Sequence, residues 1–381
     1  MTKIVHFAKY YPPDMGGMEI VTQSLALAAS AAGYDVTVVC FDQSGRGGSS
    51  DGSTHIQRYS IQKIISSQPL SFAYFLAAVR EGRKADIVHL HAPNLLAALA
   101  SLLIGLRPKL IVHWHSDVVE KRWLGKLVRP LEFLMLRRAT TILATSQRYA
   151  GSSKSLKPFQ NKVCVVPLGI APPDIHHDKI PLSPRLAEFV AGRKLILSVG
   201  RLTAYKGFSV LIEGAKFFSD DIAIVIAGGG ELSDNLAELI NRSQVEKRVM
   251  LAGRVTQEEL TALYENAAIF CLPSILRSEA FGVVLLEAMA YGLPIVATNI
   301  EDSGVPWVNA HEESGLNVPP NDAIALAAAC VLILNDTELR NRYSRGAKER
   351  FENNFTENIF LKNSLAVYES LPEKSPFAQV I

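Results

Sequence analysis

Leu195-Ile196-Leu197-Ser198-Val199-Gly200-Arg201-Leu202-Thr203-Ala204-Tyr205-Lys206-Gly207 is the stretch that decides the fold. An apolar run of strand length ends on a glycine. A short loop then carries two cations five residues apart, and a helical pattern follows over 207–218. Strand, short loop and helix in this order form the repeating unit of an open parallel sheet.

The unit recurs in both directions. Downstream, strands are expected at 222–227, 248–252, 269–272 and 294–297, and helices at 232–241, 257–265, 281–291 and 323–335. A charged helical stretch runs from 338 to about 371. Upstream, strands are expected at 3–8, 35–40, 86–91, 110–114, 140–144 and 162–166, with helices at 18–32 and 94–106. Between the two series, residues 171–193 hold four prolines and the pair His176-His177, and they read as a solvated linker. The expected architecture is α/β with two Rossmann-like, doubly wound parallel sheets facing each other across a cleft. The first domain covers 1–170 and the second 194–355. The last helix, about 356–381, is expected to pack back on the first domain.

Length and composition agree with two domains. The chain has 381 residues, 48% hydrophobic and 20% charged, as in a soluble globular protein with large cores. Cys40, Cys164, Cys271 and Cys330 are scattered and form no C-x-x-C pair, so neither a zinc site nor a redox motif is indicated. The N-terminus lacks the charged and apolar regions of a signal peptide. No apolar run approaches the ~18 residues of a membrane span, and the best candidate, 95–106, is too short. These features predict a cytoplasmic protein. Charge divides unevenly: 1–170 has 20 Lys+Arg against 10 Asp+Glu, while 171–381 has 19 against 27. A basic first half suits an anionic partner, either a membrane surface or a phosphorylated substrate. Nucleic acid is not expected, because no aromatic-rich basic repeat or helix-turn-helix pattern accompanies the charge.

Two clusters carry chemistry. In the opening stretch, Arg201 and Lys206 flank a loop at a helix start, where backbone N–H groups already favour anions, so a diphosphate is a natural occupant. The competing reading is a pair of solvated loop charges. The second cluster is Ser278-Glu279-Ala280-Phe281-Gly282-Val283-Val284-Leu285-Leu286-Glu287-Ala288-Met289-Ala290. Eight helical steps from Glu279 to Glu287 would turn the two carboxylates about 80° apart, so both could face one ligand rich in hydroxyls. Helix capping by Glu279 and an exposed helix charge at Glu287 are the alternatives.

Together these clusters resemble the retaining, two-Rossmann (GT-B) glycosyltransferases of family 4, also called group 1, and the resemblance covers essentially the whole chain. Glu279 and Glu287 match the family's E-x7-E signature, and Arg201 and Lys206 its G-R-x-x-x-x-K-G clamp. The resemblance implies that Glu279 contacts the donor sugar and Glu287 the ribose. Arg201 and Lys206 would neutralise the diphosphate, helped by the backbone of Phe281, Gly282 and Val283, and Arg254-Val255 would edge the nucleobase. Pro12-Pro13-Asp14-Met15-Gly16-Gly17-Met18-Glu19 follows the first strand, and Gly16 and Gly17 would let a ligand approach the backbone. That loop lacks the G-x-G-x-x-G spacing of a dinucleotide-binding enzyme. His113-Trp114-His115-Ser116-Asp117 resembles the family's H-[ST]-D element. It implies that His115 lies near the reacting sugar and Asp117 orients it, while His113 points elsewhere as a structural residue.

No D-x-D occurs, so Arg201 and Lys206 are expected to replace a metal's charge, with no metal site and no cofactor beyond the donor substrate. Residues 120–138 hold six cations against two anions, with apolar residues near helical spacing. They read either as a basic amphipathic helix touching the cytoplasmic face of the inner membrane or as a core-packed helix, with Pro130 as a candidate break. The resemblance to bacterial O-antigen and exopolysaccharide mannosyltransferases implies transfer of mannose from GDP-mannose to an undecaprenyl-diphosphate-linked glycan. A UDP-hexose or UDP-HexNAc donor is the first alternative. A nucleotide-sugar 2-epimerase and a non-catalytic partner in polysaccharide assembly are the others.

Overall fold

The computed structural model describes residues 1–14, 16–42, 47–65, 68–117, 122–174 and 179–371, with backbone only for 122–127. The chain separates into two compact units, Met1–Leu168 with Glu357–Ile381, and Gly169–Thr356.

Among the described residues, ten strands belong to the first unit: β1 (Lys3–Phe7), β2 (Asp35–Asp42), β3 (Ser49–Asp51), β4 (Thr54–Ser60), β5 (Lys63–Ile65), β6 (Gln68–Leu70), β7 (Ile87–Ala92), β8 (Lys109–Trp114), β9 (Thr141–Ala144) and β10 (Val163–Val165). Eight form one sheet in the order β10-β9-β8-β7-β1-β2-β4-β3, while β5 and β6 make a separate hairpin. All pairings in the large sheet are parallel except β3 with β4. The central strands are buried on both faces, which is why β1 and β2 read as continuous apolar runs. Strands β3, β5 and β6 escape the periodicity because they are three residues long, and β4 because it is largely polar.

The charged stretch after 338 is two helices, Thr337–Asn354 and Glu357–Glu369. The second belongs to the first unit. Its Tyr368 hydroxyl lies 2.7 Å from His89 Nδ1, and its Glu357 accepts a hydrogen bond from Ser24. Helix Arg122–Arg138 runs unbroken through Pro130. Its Met135 and Leu136 are buried while Phe133 and Leu134 stay about half exposed, so core packing and an outward apolar face coexist on one helix. Among the described residues, no helix is long and apolar enough to cross a membrane.

The second unit holds β11 (Lys194–Val199), β12 (Ile222–Ala227), β13 (Val249–Gly253), β14 (Ile269–Leu272), β15 (Ile295–Thr298) and β16 (Gly315–Val318). They form an all-parallel sheet in the order β13-β12-β11-β14-β15-β16. In chain order this reads third, second, first, fourth, fifth, sixth, the strand order of a Rossmann fold. The stretch 171–193 is not all linker: Pro184–Val190 is a helix with Pro184 at its first turn, and it buries Leu186 and Val190. His176 and His177 lie outside the described residues.

Candidate functional site

In a parallel sheet every strand ends on the same edge, and ligands bind where the strand order reverses. Here that switch point falls between β11 and β14. The loop after β11 carries Gly200 to Gly207, and the loop after β14 carries Ser274 to Gly282. An ion pair joins them: Lys206 Nζ lies 2.5 Å from Glu279 Oε2, with both side chains about nine-tenths buried. Ser274 Oγ donates to the same carboxylate oxygen at 2.9 Å. The loop is pinned from behind, since Thr298 Oγ1 donates to the Ser274 carbonyl and Ser303 Oγ to the Glu279 carbonyl.

The electrostatics follow from this arrangement. Burial disfavours the Lys206 ammonium, but the adjacent Glu279 carboxylate and Tyr205 together outweigh it and hold the pKa above the ordinary lysine value. Arg201 acts on the same ammonium in the opposite sense, so two cations crowd one loop. Arg201 itself is exposed, and no ion pair engages it among the described residues. Glu287, in helix Val283–Ala290, accepts from the Tyr264 hydroxyl at 2.6 Å. Burial raises its pKa, against Tyr264 and Lys206, which both lower it.

Glu279 and Glu287 are therefore neither a helix cap nor an exposed helix charge. The rotation argument that related them does not hold, however. The helix begins at Val283, and Glu279 lies in the preceding loop. Both carboxylates bear on Lys206 because the loop folds back, not because eight helical steps align them. Gly282 caps this helix at φ 83°, a backbone conformation that favours glycine. It leaves the first-turn N–H groups, including that of Val283, free of a side-chain cap. The Phe281 ring is buried against Trp307 and Phe355, which fixes the backbone beside them.

A further element escaped the sequence reading. Gly228-Gly229-Gly230 follows β12 and lies against the β11 loop. A Cβ on Gly228 would stand 2.0 Å from the Gly200 carbonyl oxygen, and one on Gly230 2.4 Å from that of Leu202. Over Gly229 lies the side chain of Arg254, whose Cγ and Nε would sit 3.1 Å from a Cβ there. Arg254 is exposed and Val255 half buried. The signal was present as three glycines at a strand end, the pattern that permits close backbone approach.

The first unit presents a different cluster. Gly16 and Gly17 open helix Gly17–Ala31, and the Glu19 carboxylate folds back over Gly16, 2.2 Å from where a Cβ would stand. Met15 lies outside the described residues. His115 follows β8, and its imidazole does not stand alone. His6, His89, His91, His113 and His115 lie on one sheet face, all buried. His113 does not point elsewhere: residues two apart on a strand share a face, and its ring centroid is 4.1 Å from that of His115. Asp117 accepts from Trp114 Nε1 and Ser153 Oγ, and its N–H donates to the Tyr149 hydroxyl. The partner of His115 is His91, with Nε2 and Nδ1 3.1 Å apart. Burial holds His6 and His115 near pKa 3 and pushes His89, His91 and His113 well below the usual value.

The chain is similar to known proteins along most of its length. Residues 15–172 match the family described as Glycosyltransferase Family 4, and residues 184–350 match Glycosyl transferases group 1. The O-antigen chain mannosyltransferase C of Escherichia coli is 31% identical over 97% of this chain and 99% of its own. The chain belongs to glycosyltransferase family 4. D-rhamnosyltransferase WbpZ of Pseudomonas aeruginosa is 30% identical, over 93% of this chain and 92% of its own. Among solved structures, sucrose-phosphate synthase of Thermosynechococcus elongatus superposes with a TM-score of 0.79 at 20% identity, covering 100% of both chains. Anabaena HepE in complex with UDP gives 0.74 at 18%, covering 97% of this chain and 100% of its own. At such identities the likeness is one of fold, and that fold is GT-B.

Two outcomes follow for this glycosyltransferase. Gly228→Ala should destabilise the second unit by about 2 kcal/mol, because a methyl group would collide with backbone that cannot yield cheaply. Gly192→Ala, also at positive φ but with open space around it, should cost less; equal urea midpoints for the two variants would contradict the close packing. The first unit should also be acid-sensitive. Unfolded histidines titrate near ~6.5 and these five titrate lower when folded, so the unfolded state binds more protons below that pH. Their stabilisation is complete above pH ~6.5 and is lost as pH falls towards 3, at roughly 1.4 kcal/mol per pH unit for each histidine titrating. Glu132, raised to about 7 by burial and by Asp117, opposes this by a single proton. Urea midpoints measured from pH 7.5 to 5 should fall steadily; a flat profile would contradict the burial of neutral imidazoles.

Proposed function

We propose that this glycosyltransferase transfers mannose from GDP-mannose, with retention at the anomeric carbon, to an undecaprenyl-diphosphate-linked glycan in O-antigen or exopolysaccharide assembly. The observation that carries the donor site is the Lys206–Glu279 pair beside Arg201 at the switch point of the second sheet. A bound diphosphate competes with Glu279 for the Lys206 ammonium, which its carboxylate partner keeps charged. Arg201, exposed and without an ion pair among the described residues, adds a second cation. The N-terminus of helix Val283–Ala290 contributes N–H groups to the same field. Released from Lys206, Glu279 can accept from sugar hydroxyls. Glu287 is held by Tyr264 in an orientation that leaves its other oxygen for the ribose. Arg254 and Val255, next to Gly229, edge the base.

The reaction needs stabilisation of the charge that grows on the diphosphate as the anomeric bond breaks. Two cations and oriented N–H groups supply it without reorganisation, and in a water-poor site such donors are worth several kcal/mol in total. The departing phosphate accepts the proton of the acceptor hydroxyl, so neither a carboxylate nucleophile nor a divalent cation is required. His115 is assigned a hydrogen bond to the transferred sugar. Mannose is favoured over other sugars by the likeness to the O-antigen chain mannosyltransferase, and a lipid-diphosphate acceptor by the basic first half of the sequence. Peripheral contact with the inner membrane is assigned to helix Arg122–Arg138, whose exposed Phe133 and Leu134 lie among cations.

Incubation with GDP-mannose, GDP-rhamnose and UDP-hexoses, together with a lipid-diphosphate glycan, tests the reading. Mannose should be transferred in α linkage, and turnover of UDP-sugars alone would overturn the donor assignment. Glu279→Ala should lower kcat at least 100-fold, about 2.7 kcal/mol of transition-state stabilisation. A rate near that of the unaltered enzyme would remove Glu279 from the site. Excess EDTA should leave the rate unchanged; strict dependence on added Mg²⁺ or Mn²⁺ would contradict a charge clamp built from Arg201 and Lys206.

A further inference from the structure

Five histidines on one face of a buried parallel sheet need an account, because an imidazole removed from water must place both ring nitrogens. Three of them form a line. His6 Nδ1 lies 3.2 Å from His91 Nε2, and His91 Nδ1 lies 3.1 Å from His115 Nε2. The rings are inclined by 22° and 15°, with centroids 5.5 and 5.4 Å apart. Such short nitrogen contacts at such long centroid separations place the rings edge to edge, each nitrogen aimed at the next. The strands permit this: β1 and β8 flank β7, His6 is in register with His89 and His91 with His113, so His91 meets His6 and His115 diagonally, two residues along the neighbouring chain in each case.

A neutral imidazole carries one N–H and one bare nitrogen. A chain of three neutral rings with both contacts made therefore has two states. In one, every ring is protonated at Nδ1: His6 donates to His91, His91 donates to His115, and His115 Nδ1–H is left at the open end. In the other, every ring is protonated at Nε2, and the last N–H, on His6, is left at the closed end. The structure distinguishes the ends. His6 Nε2 is buried without a partner, whereas His115 is 8% exposed against 1% or less for the other four, and its Nδ1 is not among the buried orphan atoms. A buried N–H with no acceptor is the costlier and rarer defect; a bare nitrogen facing apolar surroundings is milder.

We infer that His91 and His6 are positioning residues, which lock His115 as the neutral Nδ1–H tautomer, so that its open nitrogen donates a hydrogen bond and does not act as a base. In water the Nε2–H form of histidine is the commoner one, so the chain reverses the default. The low pKa of His115 keeps that donor neutral at working pH. The inference rests on the assignment of His115 to the transferred sugar only for its consequence. The tautomer itself is a property of the first unit. Under that assignment, His115 offers a donor to a sugar oxygen, and proton removal from the acceptor falls to the leaving phosphate. His89 and His113 form a separate pair, Nε2 to Nδ1 at 3.4 Å, anchored on the Tyr368 hydroxyl.

The alternative use of such a cluster is a metal ion, since His89, His91 and His113 each offer one ligand atom within 4.8 Å of the others. The chain leaves His91 no free nitrogen for that purpose.

Two-bond proton–nitrogen NMR correlation on the full-length protein with ¹⁵N-labelled histidine at pH 7.5 decides between these. The His115 signals, assigned by their loss in His115→Gln, should show Nδ1 protonated and Nε2 bare. A protonated Nε2, an imidazolium, or stoichiometric transition metal in the purified protein would overturn the inference. His91→Phe keeps the packing but removes the donor, so His115 should gain the Nε2–H form, and kcat should fall about tenfold with KM little changed. In His91→Asn the amide N–H can stand where Nδ1–H stood, and most of that loss should be recovered; equal losses in the two variants would leave only a packing role and overturn the assignment. If no sugar is transferred at all, the proposed function fails while the tautomer result still stands. Should His91→Phe fail to fold, the spectrum of the unaltered protein remains decisive.

Discussion

The ion pair between Lys206 and Glu279 is the contact on which the second unit's edge depends. It joins the loops after β11 and β14, the neighbouring strands between which the strand order reverses, beside a backbone hydrogen bond from the Ile275 N–H to the Tyr205 carbonyl. Two charges withdrawn from water to this degree stabilise little in net terms, yet removal of either one strands the other at a cost of about 3–5 kcal/mol. Such a pair holds two loops in register while remaining open to exchange with an incoming anion. Ser274, Thr298 and Ser303 brace the carboxylate side through neutral hydrogen bonds, so the geometry does not rest on charge alone.

Backbone proximity makes that arrangement possible. Gly200, Gly207, Gly228 and Gly230 sit where a single methyl group would meet backbone or the Lys206 stem, and Gly207 and Gly228 leave about 2 Å for it. The absence of side chains lets the loops after β11, β12 and β14 converge, and Lys206 lies across Gly200 as a result. Specific side chains and missing side chains thus act together. The cations supply charge, and the glycines determine how closely other groups can approach it.

The first unit solves another problem. Its central strands are buried on both faces, and one face carries imidazoles where aliphatic side chains would ordinarily pack. The rings pair with one another in two short series that leave His6 Nε2 and His113 Nε2 without a partner, and helix Glu357–Glu369 closes one series through Tyr368. Among the described residues no carboxylate pairs with these rings, and burial keeps all five neutral. A basic unit with a neutral polar core and a unit with a charged sheet edge are different electrostatic objects, although both are built from the same strand-and-helix repeat.

The sequence by itself determined the α/β class and most long strands, because buried parallel strands are written as contiguous apolar runs that need no partner to be recognised. It also determined which residue types gather at the second edge: Arg201 and Lys206 five apart, and Glu279 and Glu287 eight apart. Short edge strands such as β3 and β16 stayed hidden, since a few residues carry no period. Tertiary structure alone decided the partners. Lys206 meets Glu279 across 73 residues of chain and Glu287 meets Tyr264 across 23, and a helical wheel drawn through a loop could not foresee either. The histidines show the same limit. Each was visible in its strand, but which ring faces which nitrogen depends on the spatial order β1, β7, β8, which is set by parallel crossover connections and not by adjacency in the chain.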